Sequence, residues 1–240
     1  MPHPVPAYAS LSRYYDTGWS AFAGLYAPLV RGILEGREGP ARILDLACGT
    51  GVLACALAEE GHQVVGVDLS PAMVARARAR AVPGVVFQEG DMTAYLSERP
   101  FDLVLCTFDS VNYLRDGTAM GDFLRCAARA LLPGGSLAFD ANTEVLYREK
   151  HAGSLLRRAG GETFRQTLSY DPVQAVATTS FDFEDGSREV HVQRPWNLAQ
   201  LAPLLRDAGL RVERACCTFD GTPYHTGAER LICVAVRESS

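Results

Sequence analysis

The 240-residue sequence has no CxxC pair, no internal repeat, no low-complexity tract and no apolar run approaching the ~20 residues a membrane-spanning helix needs. Seven cysteines (Cys48, Cys55, Cys106, Cys126, Cys216, Cys217 and Cys233) are odd in number and lie mostly within apolar segments. That pattern argues against a disulfide or zinc framework and for buried, reduced thiols. The amino terminus, MPHPVPAYAS, lacks the cationic stretch and apolar core of a secretory leader, so a cytoplasmic location is expected. An excess of positive charge is also missing. The net charge of -5 gives no generic attraction to phosphate backbones or anionic lipid, so neither nucleic acid nor membrane is an expected partner.

The chain is rich in what a packed core needs, with 48% hydrophobic residues, enough for one α/β domain over residues 1–240. Strand-like runs at Ala41 to Leu46, Gln63 to Val67, Val85 to Glu89, Phe101 to Cys106 and Ser136 to Asp140 alternate with helical patterns at Gly51 to Glu60, Pro71 to Ala81 and Thr118 to Leu132. Such alternation predicts a parallel sheet with helices on both faces. Ser70 before Pro71 reads as a helix N-cap, and Pro133-Gly134-Gly135 turns the chain from helix to strand. Upstream, Tyr8 to Asp16 and Ser20 to Leu34 read as two amphipathic helices, placing an N-terminal helical segment at residues 1–36.

Beyond Asn142 the pattern changes. ETFRQTLSY, AVATTSFDF and REVHVQRPW are β-like and are separated by Asp171-Pro172 and Asp185-Gly186, both turn chemistry. They predict a three-stranded antiparallel insertion within residues 142–196. A helix at Asn197 to Ala208 and strands at Leu210 to Cys216 and Arg230 to Arg237 complete the α/β pattern.

The chemistry is concentrated in ILDLACGTG (Ile43 to Gly51) and in Asp68, 17 residues after Gly51 at the end of VVGVD. A strand, a glycine turn, a helix and an acidic residue ending the next strand make a site for a ribose-bearing cofactor. Gly49-Thr50-Gly51-Val52-Leu53-Ala54 alone also fits nicotinamide and flavin enzymes. Asp45 ahead of the glycines distinguishes the site, because it would repel a pyrophosphate and suits a cationic amino-acid tail.

With VVGVDLSPAMV (Val64 to Val74), EGDM (Glu89 to Met92), FDLVLCTFDSVNYL (Phe101 to Leu114) and LLPGGSLAFD (Leu131 to Asp140) following in order, the sequence resembles class I S-adenosylmethionine-dependent methyltransferases over about residues 8–237. It is similar in particular to the sugar N-methyltransferase-like, small-molecule group. The resemblance implies a Rossmann-like, seven-stranded, mostly parallel sheet and S-adenosylmethionine as cofactor. It implies that Asp68 accepts from both ribose hydroxyls, that Leu69 and Met92 flank the adenine, and that Asp91 accepts from its exocyclic amine. Gly49 and Gly51 would admit the cofactor closely, Ala47 would offer a carbonyl to its amino group, and Asp45 would supply charge there. Thr107 would lie under the sulfonium, and Tyr15 would close over the methionine end. Asp91 has a second reading, as the N-cap of a short helix at Met92 to Ser97.

Methyl transfer needs no protein nucleophile, and no catalytic base is named. Asp109, Asn112 and Tyr113, after the fourth strand, and His191 and His225, in elements that could roof the strand ends, are candidate acceptor contacts. Asn112 could equally hold its loop. The absence of [DN]-P-P-[YFW] at Cys106-Thr107-Phe108-Asp109 disfavours exocyclic amines of nucleic-acid bases. The acceptor expected is therefore a small molecule methylated on nitrogen or oxygen. A magnesium-assisted variant using Asp109, Asp140 and Asn142 is a minor alternative, and no metal site is assigned. A non-catalytic S-adenosylmethionine-binding protein, a nicotinamide oxidoreductase and a homodimer formed through the insertion are left open.

Overall fold

The computed structural model describes residues 3–19 and 23–238. The chain begins with a two-residue strand, β1 (His3–Pro4), a 3-10 turn (Leu11–Arg13) and helices α1 (Tyr15–Trp19) and α2 (Ala23–Ile33). Alternation follows with β2 (Arg42–Leu46), α3 (Val52–Glu59), β3 (Gln63–Asp68), α4 (Pro71–Ala79), β4 (Val85–Glu89), β5 (Phe101–Cys106), α5 (Gly117–Ala130) and β6 (Leu131–Asn142). Helix α6 (Glu144–Lys150) leads to β7 (Gly153–Ala159), β8 (Glu162–Asp171), β9 (Val176–Asp182) and β10 (Ser187–Gln193). Helix α7 (Leu198–Asp207) and strands β11 (Leu210–Cys216) and β12 (Arg230–Arg237) end the fold.

Seven strands form the main sheet in the order β11-β12-β6-β5-β2-β3-β4, parallel except at β12, which runs antiparallel to both its neighbours. Successive β2 side chains go to opposite cores. Ile43 packs among α2 to α4 residues such as Val30, Leu57 and Val74, whereas Leu44 and Leu46 pack with Phe123 of α5 and Leu201 of α7. A strand buried on both faces reads as a continuous apolar run, which is why IL-L was visible in the sequence. The connections reverse direction between β2–β3 and β2–β5, so a crevice opens at the carboxyl ends of β2 and β5.

The second sheet departs from expectation. It holds four antiparallel strands, β7 to β10, with β1 added parallel to β10. Strand β7, GSLLRRA, was missed because nearly every residue in it is exposed and no polar/apolar alternation marks it. The expected helix over Tyr8 to Asp16 is not formed as one unit. Tyr8 has φ 63°, and its amide, with those of Ser10 and Leu11, bonds the Glu189 carboxylate instead of continuing a helical ladder. Residues 20–22 of the expected Ser20 to Leu34 helix lie outside the described residues. The short helix expected at Met92 to Ser97 is a turn, because the Asp91 carboxylate accepts the Thr93 amide and hydroxyl at 2.8 and 2.7 Å and closes a local loop. Among the described residues, no helix is long and apolar enough to cross a membrane, and all seven cysteines are free thiols.

Candidate active site

The glycine turn is set by backbone geometry. Ala47, Gly49 and Gly51 all have positive φ, at 57°, 57° and 75°, and a β-carbon on Gly51 would fall 2.5 Å from Phe87 Cζ. Glycine is needed at position 51 both for its conformation and for its lack of a side chain. Asp68, buried at the end of β3, spans the turn: Oδ2 accepts the Gly49 amide and Oδ1 the Ser70 amide, each at 2.8 Å. Each carboxylate oxygen has a further lone pair with which to accept a hydroxyl.

Asp45 sits at the end of β2, 1% exposed, and its Oδ1 has no hydrogen-bond partner. Burial, and to a lesser extent the Asp68 charge, push its carboxyl up to about 7. An orphaned buried carboxyl of this kind calls for a cationic donor. The cavity beside it is lined by Asp45, Ala47, Gly49, Thr107 and Tyr15 among others.

Helix α1 is clamped over this turn by contacts that sequence reading missed. Asp16 pairs with Arg80 at 2.5 Å and accepts from Thr50 Oγ1 at 2.5 Å, while Arg80 Nε reaches the Thr50 carbonyl at 2.6 Å. The clamp sets Tyr15 against Gly49, where a β-carbon would lie 3.9 Å from Tyr15 Cε1. Tyr15 stacks on Trp19 and meets Phe108 edge-on.

On the β5 side, Phe108 and Asp109 both hold positive φ, at 63° and 49°. Such strain in non-glycine residues persists only where surroundings impose it. Here the fully buried Asp140 carboxylate does so, accepting the Phe108 amide at 2.6 Å, the Asp109 amide at 3.0 Å, the Tyr26 hydroxyl at 2.7 Å and Arg230. The turn aims Asp109 at Gln193, which donates to its Oδ2 at 2.8 Å, with Arg230 3.8 Å from Oδ1. Burial dominates over Arg230 and pushes the Asp109 carboxyl up to about 6.

The other expected residues separate into groups. Tyr113 and His191 are in contact, Oη to Nδ1, at 2.7 Å. Met92 is half-buried with its sulfur 3.8 Å from Cys106 Sγ, whereas Leu69 is 72% exposed and Asp91 is also exposed. Asn112 is fully buried and engaged with backbone: its Nδ2 donates to the carbonyls of Asn142 and Arg194, and its Oδ1 accepts the Asn142 amide. It ties β6 to the chain returning from β10. His225 lies exposed in its loop and does not line the cavity. Among the described residues no cluster suited to a metal ion is found.

A strand-end carboxylate spanning a glycine turn, an orphaned acid beside that turn and a switch-point crevice in a seven-stranded sheet define an α/β fold built to hold a ligand at the carboxyl ends of β2 and β3. A family model described as a methyltransferase domain matches residues 43–135. A putative methyltransferase of Geobacillus sp. (strain WCH70) is 32% identical over 215 residues, covering 83% of this chain and 86% of the relative. The dTDP-3-amino-3,4,6-trideoxy-alpha-D-glucopyranose N,N-dimethyltransferase of Streptomyces venezuelae is 30% identical over 180 residues, 71% and 76% of the two chains. The S-adenosylmethionine-bound structure of CalS10, an amino pentose methyltransferase from Micromonospora echinaspora, superposes with TM-score 0.69 at 25% identity, covering 96% of each chain. The chain belongs to the S-adenosylmethionine-dependent methyltransferases.

Proposed function

We propose that this methyltransferase acts on the nitrogen of a small-molecule amine. The observation that carries the reading is Asp109, a half-buried carboxylate held on a strained turn beside the cofactor cavity and roofed by Gln193 of the second sheet. Ionised near neutral pH, it offers an acceptor ammonium a counter-charge. The amine acceptors printed in the names of two relatives agree with it.

S-adenosylmethionine, when bound, supplies a methyl group on a positively charged sulfur that is its own leaving group. The protein's part is alignment and exclusion of water. In this reading Asp68 receives the ribose hydroxyls, Asp45 and the Ala47 carbonyl meet the amino group, and Leu69, Asp91 and Met92 border the adenine. Thr107 faces the sulfur and Tyr15 covers it. Residues 1–36 cover the cofactor, and residues 142–196 cover the acceptor.

The test is S-adenosylhomocysteine production against a panel of amino sugars and simple amines, each paired with its hydroxyl analogue. Turnover confined to the amines is expected. Turnover confined to the hydroxyl compounds would sink the nitrogen assignment.

A further inference from the structure

Four side chains from three parts of the sequence, Glu189 and His191 buried and Tyr8 and Tyr113 half-buried, form one unbroken line. Tyr8 Oη lies 2.7 Å from Tyr113 Oη, Tyr113 Oη 2.7 Å from His191 Nδ1, and His191 Nε2 3.1 Å from Glu189 Oε2. Glu189 was not singled out in the sequence. Flanked by arginine and valine in an alternating strand, it reads as an outward-facing residue, yet it is 0% exposed.

The direction of the line follows by elimination. Both Glu189 oxygens already accept backbone amides, from Tyr8 and Leu11 at 2.9 Å each and from Ser10, so toward His191 the carboxylate is an acceptor and Nε2 carries the hydrogen. In a neutral imidazole Nδ1 then presents a lone pair, which the Tyr113 hydroxyl fills. The Tyr113 oxygen in turn receives the Tyr8 hydroxyl. The Tyr8 oxygen is therefore the end of the line that receives no hydrogen from the other members. That residue packs edge-to-face on Tyr15 of the cofactor cavity and feels the charge of Asp109.

We propose that this line is the proton exit for the methyl acceptor, with Tyr8 as a catalytic residue and Tyr113, His191 and Glu189 as positioning residues acting through it. The proposal rests on the amine reading above. An aliphatic ammonium has no lone pair and must lose a proton before it can attack. The acceptor N–H bond breaks, its electron pair stays on nitrogen, and Tyr8 takes the proton while passing its own to Tyr113. Tyr113 passes its proton to His191 Nδ1. His191 becomes an imidazolium against Glu189, so the positive charge has moved from the acceptor to a paired site and the total is unchanged. Burial holds both phenols well above their usual range, so neither accumulates as a tyrosinate. After product leaves, the proton returns along the same line to water.

The groups facing His191 are Tyr8 from the N-terminal segment, Tyr113 from the turn Ser110–Tyr113 and Glu189 on its own strand. Strand β9 presents the Phe181 ring and Thr179, whose hydroxyl contacts His151.

The test compares wild type, Tyr8→Phe and His191→Gln in kcat across pH, with a dTDP-aminodeoxyhexose and with its alkoxyamine analogue, whose weakly basic nitrogen arrives neutral. With the amino sugar both variants should lose roughly 100-fold in kcat at about pH 7, recover toward wild type by about pH 9.5, and keep KM nearly unchanged. With the alkoxyamine they should stay within about threefold of wild type, since no proton need leave before attack. S-adenosylhomocysteine affinity by calorimetry should be unaltered in both. A loss that is constant with pH, or equal for the two acceptors, or no loss at all, overturns the relay while leaving amine methylation standing. Absence of amine methylation by wild type that still binds S-adenosylhomocysteine overturns both.

Discussion

Asp45 and Asp68 end neighbouring parallel strands, yet their surroundings give them different work. Asp68 has amide partners on both oxygens and is prepared for further donors. With Asp68 receiving the ribose hydroxyls as proposed, Asp68→Ala would remove about two charge-assisted hydrogen bonds, so S-adenosylmethionine affinity should fall roughly 100-fold. Unchanged affinity by calorimetry would remove the ribose assignment. The same variant leaves the Gly49 amide without its partner and should cost roughly 1–3 kcal/mol of stability, so chemical unfolding needs measuring alongside.

Asp45 carries the pH dependence. Its carboxyl is held up to about 7 when folded, above its unfolded value, so the folded state binds the extra proton between those values. The stability it contributes is present below the unfolded value and is lost as pH rises through about 7, where the buried, unpartnered charge appears. A ligand ammonium reverses the sign, because it pairs with the ionised form. S-adenosylmethionine affinity should therefore increase as pH rises through about 7, and Asp45→Asn should flatten that profile. A wild-type affinity that does not vary across this range would contradict the role given to Asp45.

At the scale of elements, the decisive object is the junction of β5, β6 and β12. Asp140 on β6 holds the strained Phe108-Asp109 turn, and Arg230 on β12 neutralises Asp140. Arg230→Met leaves a buried carboxylate uncompensated and should cost roughly 3–5 kcal/mol in urea unfolding. A cost below about 1 kcal/mol would mean that solvent, not Arg230, supports the turn. Turn Ala47 to Gly51 is controlled differently, by fit. Gly51→Ala meets both a left-handed backbone and the Phe87 ring and should destabilise by roughly 3 kcal/mol, with the glycine turn displaced.

For the molecule as a whole, cofactor binding and folding are linked, since the turn, Asp68 and the α1 clamp come from distant positions that only the folded chain assembles. S-adenosylhomocysteine at about 100 times its Kd should stabilise the protein by about 2.7 kcal/mol and raise Tm by roughly 5–10 °C. Asp68→Ala should show little of that shift at the same concentration. An equal shift in the variant would place the ligand elsewhere.

The seven-stranded sheet and the glycine-turn half of the site were determined by the sequence itself, because they depend on local pattern. A strand buried on both faces must be a continuous apolar run, and a tight left-handed turn between strand and helix favours glycine, as at Gly49 and Gly51. The acceptor half was decided by tertiary structure. Strand β7 escaped because exposed residues on both faces leave no period to read. Asn112 was in view, but whether it faced an acceptor or held backbone depended on where Asn142 and Arg194 would come to rest. Glu189 carried no signal at all, since its burial arises only when residues 8–11 fold across β10 and deliver three amides to it. Tyr8, Tyr113 and His191 are separated by 105 and 78 residues and become one hydrogen-bonded line only through that same packing. Local periodicity and steric limits are written residue by residue, whereas the pairing of buried polar groups belongs to contacts that no stretch of sequence contains.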